Sequence, residues 1–139
     1  MNIPVEEFTS PCLVTVGPEA TIDTALELMQ ENSIRHLPVV KGDNTLGIVS
    51  ERDLLLHLGK NWAEMIKVGD VMSTSILSVY GNDNLGDVAF QLSSQKVGSA
   101  LVLDSEGKLF GIFTTTDALN ALVEILFPEI SGKSPLAEL

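Results

Sequence analysis

The sequence holds a single cysteine, Cys12. That excludes an internal disulfide framework and any zinc pattern built on paired cysteines. A buried, inert thiol is expected there. Cations are also scarce, with eight Lys and Arg against nineteen Asp and Glu and a net charge of −11. A nucleic-acid binder gains affinity by neutralising phosphates with Lys and Arg, so broad DNA or RNA binding is not expected. An anionic membrane surface is disfavoured for the same reason. A small anionic ligand remains open, because a pocket needs only one or two local cations. The first residues show no basic stretch followed by a long apolar run, so no signal peptide is expected. No run approaches the roughly eighteen apolar residues of a membrane-spanning helix. A cytoplasmic location fits these absences best.

What is present suits one compact domain. The chain has 139 residues, of which 45% are hydrophobic and 19% charged, and its mean hydropathy is positive. A chain of this size buries about 68–70% of the surface its unfolded form exposes, and this composition is not that of a disordered chain.

An internal repeat organises the sequence. A shift of 63 positions brings Val5 onto Val68, Ser10 onto Ser73, Val16 onto Val79 and Val39 onto Val102. After one extra residue in the second turn, Gly47 falls on Gly111, Ile48 on Ile112, Asp53 on Asp117 and Leu55 on Leu119. Residues 1–60 form the first copy, and residues 61–127 form the second with a short linker ahead of it. Residues 128–139, with Pro128, Gly132 and Pro135, read as a frayed tail.

Each copy predicts strand, helix, strand, strand, helix. The first strands are Leu13-Val14-Thr15-Val16 and Ile76-Leu77-Ser78-Val79. The helices that follow place Ile22, Ala25, Leu26 and Met29, then Leu85, Val88, Ala89 and Leu92, on one buried face. Thr21 and Asn84 suit their N-caps. Second strands follow at Leu37-Pro38-Val39-Val40 and Ala100-Leu101-Val102-Leu103. Pro38 lacks a ladder N–H and so marks an edge or a strand start. Turns rich in Gly, Asp and Asn lead to third strands at Leu46-Gly47-Ile48-Val49 and Leu109-Phe110-Gly111-Ile112-Phe113. Closing helices begin at Ser50 and Thr114. Between the copies, a helical turn is expected around Trp62 to Ile66, with Trp62 packed on the domain or a partner. The closing helices carry Leu54, Leu55 and Leu58, then Leu119, Leu122, Val123 and Leu126. Such faces need partners. The simplest arrangement packs the copies about a pseudo-two-fold axis and leaves enough apolar surface for a homodimer.

The run Gly47-Ile48-Val49-Ser50-Glu51-Arg52-Asp53, after Arg35-His36-Leu37-Pro38-Val39-Val40, resembles a CBS domain. Gly111-Ile112-Phe113-Thr114-Thr115-Thr116-Asp117 matches it in the second copy. Together they resemble a stand-alone CBS pair, or Bateman module, over residues 5–126. The resemblance implies an α/β fold of tandem β-α-β-β-α repeats and a homodimer shaped as a disc of four CBS domains. It also implies regulatory binding of an adenosine-containing nucleotide such as AMP, ADP or ATP. No catalysis and no required cofactor are implied, while an unidentified target protein is.

The candidate sites centre on Ser50-x-x-Asp53 and Thr114-x-x-Asp117. Each is a helix-capping pattern in its own right. A carboxylate there can also accept from two vicinal ribose hydroxyls, the role that the resemblance implies. A helix N-terminus suits an anion. Arg52 adds a cation to the first site, where Thr116 stands in the second. Arg35 is a candidate phosphate contact and His36 a polar wall; Gly98 and Ser99 replace them in copy two. By resemblance, each site is shared between the copies. The first would join Ile48, Ser50, Arg52 and Asp53 to Met72, Leu77, Val97, Gly98 and Ser99. The second would join Ile112, Thr114, Thr116 and Asp117 to Thr9, Val14, Ile34, Arg35 and His36. Apolar residues would sandwich adenine. If only one site is filled, the second is favoured. His36 and His57 give no metal spacing, and no nucleophile elbow is present, so no catalytic residue or metal site is expected. The alternative function is a structural or protein-interaction dimer with vestigial pockets.

Overall fold

The computed structural model describes residues 1–11, 14–59 and 63–129. Cys12, Leu13, Trp62 and the tail from residue 130, about which the sequence raises expectations, lie outside that set. The elements run β1 (Ser10–Pro11), α1 (Ile22–Glu31), β2 (His36–Lys41), β3 (Asn44–Ser50) and α2 (Glu51–Leu55). They continue with α3 (Val68–Val71), β4 (Ser78–Tyr80), α4 (Leu85–Gln95), β5 (Ser99–Leu103), β6 (Leu109–Thr114) and α5 (Thr115–Leu126). Short 3₁₀ turns occupy Val5–Phe8 and Ala63–Met65. The fold is therefore mixed α/β in two tandem repeats. The second and third strands and all four expected helices stand where the periodicity predicts them. The expected caps are made: Thr21 Oγ1 accepts from the Thr24 N–H at 3.1 Å, and Asn84 Oδ1 from Gly86 N–H at 2.8 Å. The helical turn expected around Trp62 to Ile66 is present as the 3₁₀ turn at Ala63–Met65. Helix α3 follows it as a further element, and Asp70 caps it by accepting from the Lys67 N–H at 2.9 Å.

Two compact units result: Leu13–Ile76 in one, and Met1–Cys12 with Leu77–Leu139 in the other. They differ from the sequence copies by an exchange of leading segments. In the second unit, β1 pairs antiparallel with β6, with Ser10 opposite Ile112 and Pro11 opposite Gly111. In the first unit, Ser73, the repeat equivalent of Ser10, bridges Ile48. Thus the segment ahead of each copy packs on the third strand of the other. Gly47 and Gly111 make this possible. A Cβ on Gly47 would lie 2.6 Å from Ser73 O and 2.7 Å from Met72 Sδ, while one on Gly111 would collide with Ser10 O and lie 2.8 Å from Thr9 Cγ2.

The unit holding residues 13–76 is built on a two-stranded sheet, β2 with β3, and a core of Val16, Ile22, Ala25, Met29, Leu37, Val39, Val49, Leu54 and Val68. The other has a four-stranded sheet in the order β1-β6-β5-β4 over Val5, Val79, Leu85, Val88, Leu92, Ala100, Val102, Phe113 and Ala121.

The two first strands differ, and one proline accounts for it. In copy two, β4 runs parallel to β5, and the Leu101 N–H donates to Leu77 O at 2.8 Å. Pro38 stands at the position of Leu101 and has no N–H to give to the equivalent Val14 carbonyl. Copy one keeps only a bridge at Val16, through Val16 N–H to Pro38 O at 3.0 Å and Val40 N–H to Val16 O at 2.8 Å. Of the strand expected at residues 13–16, the described residues 14–16 keep that bridge.

Among the described residues, no helix is long and apolar enough to cross a membrane. Several large apolar side chains remain exposed, including Leu55 at the end of the short α2, Leu58 after it, Phe90 on α4, and Leu119, Leu122 and Leu126 on α5.

Candidate functional site

Both candidate carboxylates sit one turn into a closing helix, at the end of an antiparallel strand pair. In the first unit, β2 faces β3 with His36 opposite Ser50 and Pro38 opposite Ile48. The Glu51 N–H donates to Arg35 O at 2.8 Å, which ties the helix start to the residue ahead of β2. In the second unit, Ser99 lies opposite Thr114 and Leu101 opposite Ile112. The Thr115 N–H donates to Gly98 O at 3.1 Å, the equivalent tie. Directly opposed residues in an antiparallel pair project to the same face. So Ser50 shares a face with His36, and Thr114 with Ser99.

The same left-handed turn delivers both second strands. Ser33 (φ 54°) and Lys96 (φ 56°) are repeat equivalents. After them the Ile34 N–H returns to Met29 O at 2.9 Å and the Val97 N–H to Leu92 O at 3.1 Å, closing the end of α1 and of α4. Ile34, Arg35 and His36, and likewise Val97, Gly98 and Ser99, are placed by that closure. Ile34 and Val97 are half-buried against their cores, Arg35 is exposed and His36 is half-buried.

The two caps are not alike. At Ser50, the side-chain oxygen accepts from the Asp53 N–H at 3.1 Å. The Asp53 carboxylate has no hydrogen-bond partner among the described residues. At Thr114, Oγ1 accepts from the Asp117 N–H at 3.2 Å, and Asp117 returns the bond. Its Oδ2 accepts from the Thr114 N–H at 2.8 Å and from the Thr114 hydroxyl at 3.0 Å. The capping box is closed in copy two and open in copy one. Both Asp residues are half-buried. The helices behind them differ as well: α2 has five residues and α5 has twelve.

The remaining candidates divide by unit. Val14, Ile48 and Met72 lie with Ser50, Arg52 and Asp53 in the first. Arg52 is exposed, while Val14 and Met72 line its core. Thr9, Leu77 and Ile112 lie with Thr114, Thr116 and Asp117 in the second. Thr116 is exposed, and Leu77 packs on the core. Thr9 is buried, and its hydroxyl donates to Val5 O at 2.8 Å. Sequence reasoning did not single out Gly47 and Gly111 as the points where the exchanged segments cross. The available signal was their equivalence in the repeat.

His36 carries the chemistry that differs most from the ordinary. Burial pushes its pKa below 6.5; the Asp53 carboxylate pulls it up and the Arg35 guanidinium pulls it down, but burial prevails. The imidazole is therefore neutral at neutral pH. Below 6.5 the unfolded chain takes up this proton before the folded chain does, so stability falls as the pH drops from 6.5 towards the folded value. His36→Gln should therefore lose less thermal stability than the wild type between about pH 7.5 and about pH 5.5. Melting curves at the two pH values check this, and parallel losses in both proteins would contradict it. Among the described residues, no group of three or more His, Cys, Asp or Glu is placed to hold a metal ion.

The CBS domain family model matches residues 5–60 and 68–124. A CBS domain-containing protein of Dictyostelium discoideum is 31% identical over 92% of this chain and 97% of its own. The chain spans 64% of CBSX2, a chloroplastic CBS domain-containing protein of Arabidopsis thaliana, at 32% identity over 87% of its own length. The solved structure of CBSX2 in complex with AMP is 36% identical and covers 88% of this chain and 98% of that one, with a TM-score of 0.73. The CBS domain of a bacterial CNNM/CorC family Mg²⁺ transporter in complex with ATP is 26% identical, covers 86% and 87% of the two chains, and has a TM-score of 0.77.

Proposed function

The chain belongs to the CBS domain family, and from that premise we propose that it is a regulatory module that binds an adenosine nucleotide of the AMP, ADP and ATP class and catalyses nothing. The observation that carries this reading is the recurrence, in both units, of a half-buried Ser/Thr-x-x-Asp helix start facing the first residue of β2 or β5. Each supplies a carboxylate for vicinal hydroxyls and hydroxyl groups that can donate or accept. Arg52 adds a cation beside the first, and Arg35 and His36, the phosphate contact and polar wall expected for the second site, lie in the unit of Ser50 and Asp53. The solved complexes of CBSX2 with AMP and of the transporter's CBS domain with ATP support the ligand class. The reading includes a homodimer in the cytoplasm acting on a target protein. Exposed Phe90, Leu119, Leu122 and Leu126 support self-association, with Phe90 at 71% exposure.

Regulation requires that the ligand favour one conformation or assembly over another. The first step to establish is binding. AMP, ADP or ATP at a hundredfold excess over its Kd should stabilise the protein by about 2.7 kcal/mol, which raises the melting temperature by roughly 5–10 °C. Differential scanning fluorimetry reads this, and sedimentation of the same samples reads the expected dimer. A melting temperature that none of the three nucleotides moves sinks the nucleotide reading. A monomer at every concentration sinks the dimer.

A further inference from the structure

We propose that the chain self-associates through its second unit alone. The α4–α5 face of one copy seats on the same face of another about a two-fold axis, with Phe90 of each in the other's groove. An acidic face on α1 keeps the first unit out of the contact. This rests on the homodimer reading above and names the surface that makes the dimer.

The groove belongs wholly to the second unit and has a volume of about 280 Å³. Gly86 and Ala89 of α4 line one side of it, and Ala118, Leu122 and Ile125 of α5 the other. Met1 and Ile3 complete it beside the start of α4. There the Leu85 N–H donates to Ile3 O at 2.7 Å, and Asn84 Nδ2 donates to Asn2 Oδ1 at 3.1 Å. The small residues Gly86 and Ala89 leave the recess open, and Phe90 rises beside it at 71% exposure. Gly86 and Phe90 share one side of α4 at i,i+4 spacing. The exposed Leu119, Leu122 and Leu126 extend the apolar surface along α5. One face thus carries both a protruding ring and an apolar recess. A two-fold contact needs a surface complementary to itself, and its buried centre favours aromatic rings and excludes charge.

The equivalent face of the first unit has the opposite chemistry. Buried Ile22, Ala25 and Met29 of α1 stand where Leu85, Val88 and Leu92 stand on α4. In that register Glu27 takes the place of Phe90, Asp23 that of Gly86 and Glu31 that of Ser94. All three acids are exposed, and no ion pair neutralises them among the described residues. Two such faces would set carboxylate against carboxylate, and one of them on the α4–α5 face would bury carboxylates without partners. The helix opposite α1 is short as well. α2 ends at Leu55 whereas α5 runs to Leu126, so Leu58, the equivalent of Leu122, lies beyond its helix. The contact is therefore made between two units, not shared by four domains as in the disc that the resemblance implies.

Sedimentation of the full chain in about 0.15 M salt, where screening hides charges outside the contact, reads the dimer Kd. Phe90→Glu gives α4 the residue that α1 carries. It should raise the Kd by about 30-fold or more, the effect of losing a central interface anchor. Glu27→Lys should leave the Kd within about threefold. Circular dichroism checks that both variants keep their helices. Should Phe90→Glu fail to fold, hydrogen exchange of the wild type above and below its Kd replaces it. Residues 84–93 and 115–126 should then gain protection in the dimer while residues 22–31 do not. Three results overturn the inference and leave the homodimer standing: a Phe90→Glu dimer as tight as the wild type's, equal gains of protection in α1 and α4, or a Kd moved more than about tenfold by Glu27→Lys. A wild type that stays monomeric at every concentration ends the homodimer reading and this inference with it.

Discussion

Phe113→Ala should lower stability by about 3–5 kcal/mol, the range for removing a fully buried aromatic ring from a packed core. Phe113 has no exposed surface and lies among Val5, Val79, Val88, Leu92, Ala100, Val102 and Ala121. Its neighbours come from the N-terminal 3₁₀ turn, β4, α4, β5 and α5, so no single element can collapse to fill the space. Domains of this size are stable by about 5–15 kcal/mol, which makes the loss a large share of the total. Phe113 also precedes Thr114, the cap residue of α5. Loosening the strand at that point should weaken nucleotide binding at the Thr114–Asp117 start along with the fold. Urea unfolding of the variant measures the first effect. A loss below about 1 kcal/mol would mean that the ring does not occupy this core.

The second large effect is expected at a glycine. Gly111→Ala should cost about 3 kcal/mol, at the upper end of what overpacking does, because the obstacle is backbone. The new methyl group would collide with Ser10 O and lie 3.0 Å from Ser10 C. Neither can swing aside as the end of a side chain can. The strand β1 would have to leave β6, giving up the Ser10–Ile112 and Pro11–Gly111 pairing. Hydrogen exchange should then accelerate in residues 1–11, while residues 14–59 keep their protection. Gly98→Ala is the control, since nothing lies within 4 Å of a Cβ at that position. If the two variants melt together, the close crossing at Gly111 is not a constraint. The same reasoning extends to Gly47, where Ser73 O is the backbone obstacle.

These two positions show how much was legible beforehand. The burial of Phe113 follows from its place in an apolar run ahead of a cap, and the spacing of Val88 and Leu92 puts their helix face against it. Gly111 was visible as a repeated glycine, but the partner that requires it was not. Ser10 is separated from Ile112 by about a hundred residues of chain, and local patterning carries no record of such a pairing. Pro38 lies between these cases. Its missing N–H was read from the sequence as an edge signal, and its cost, the loss of a strand at residues 14–16, emerged only once Leu101 was seen donating at the equivalent place.

The sequence by itself determined the duplicated order of strands and helices, the caps at Thr21, Ser50, Asn84 and Thr114, and the two carboxylates that follow Ser50 and Thr114. These depend on interactions within a few residues, where periodicity, N–H counting and cap chemistry suffice. Only the tertiary structure decided the exchange of leading segments, the downward shift of the His36 pKa and the difference between Asp53 and Asp117. The exchange depends on distant pairing, and the His36 shift on burial. The two carboxylates stand in identical Ser/Thr-x-x-Asp frames. What separates them is whether the side chain turns back to its own cap, as Asp117 does through Oδ2, or leaves that cap with the single bond from the Asp53 N–H to Ser50 Oγ.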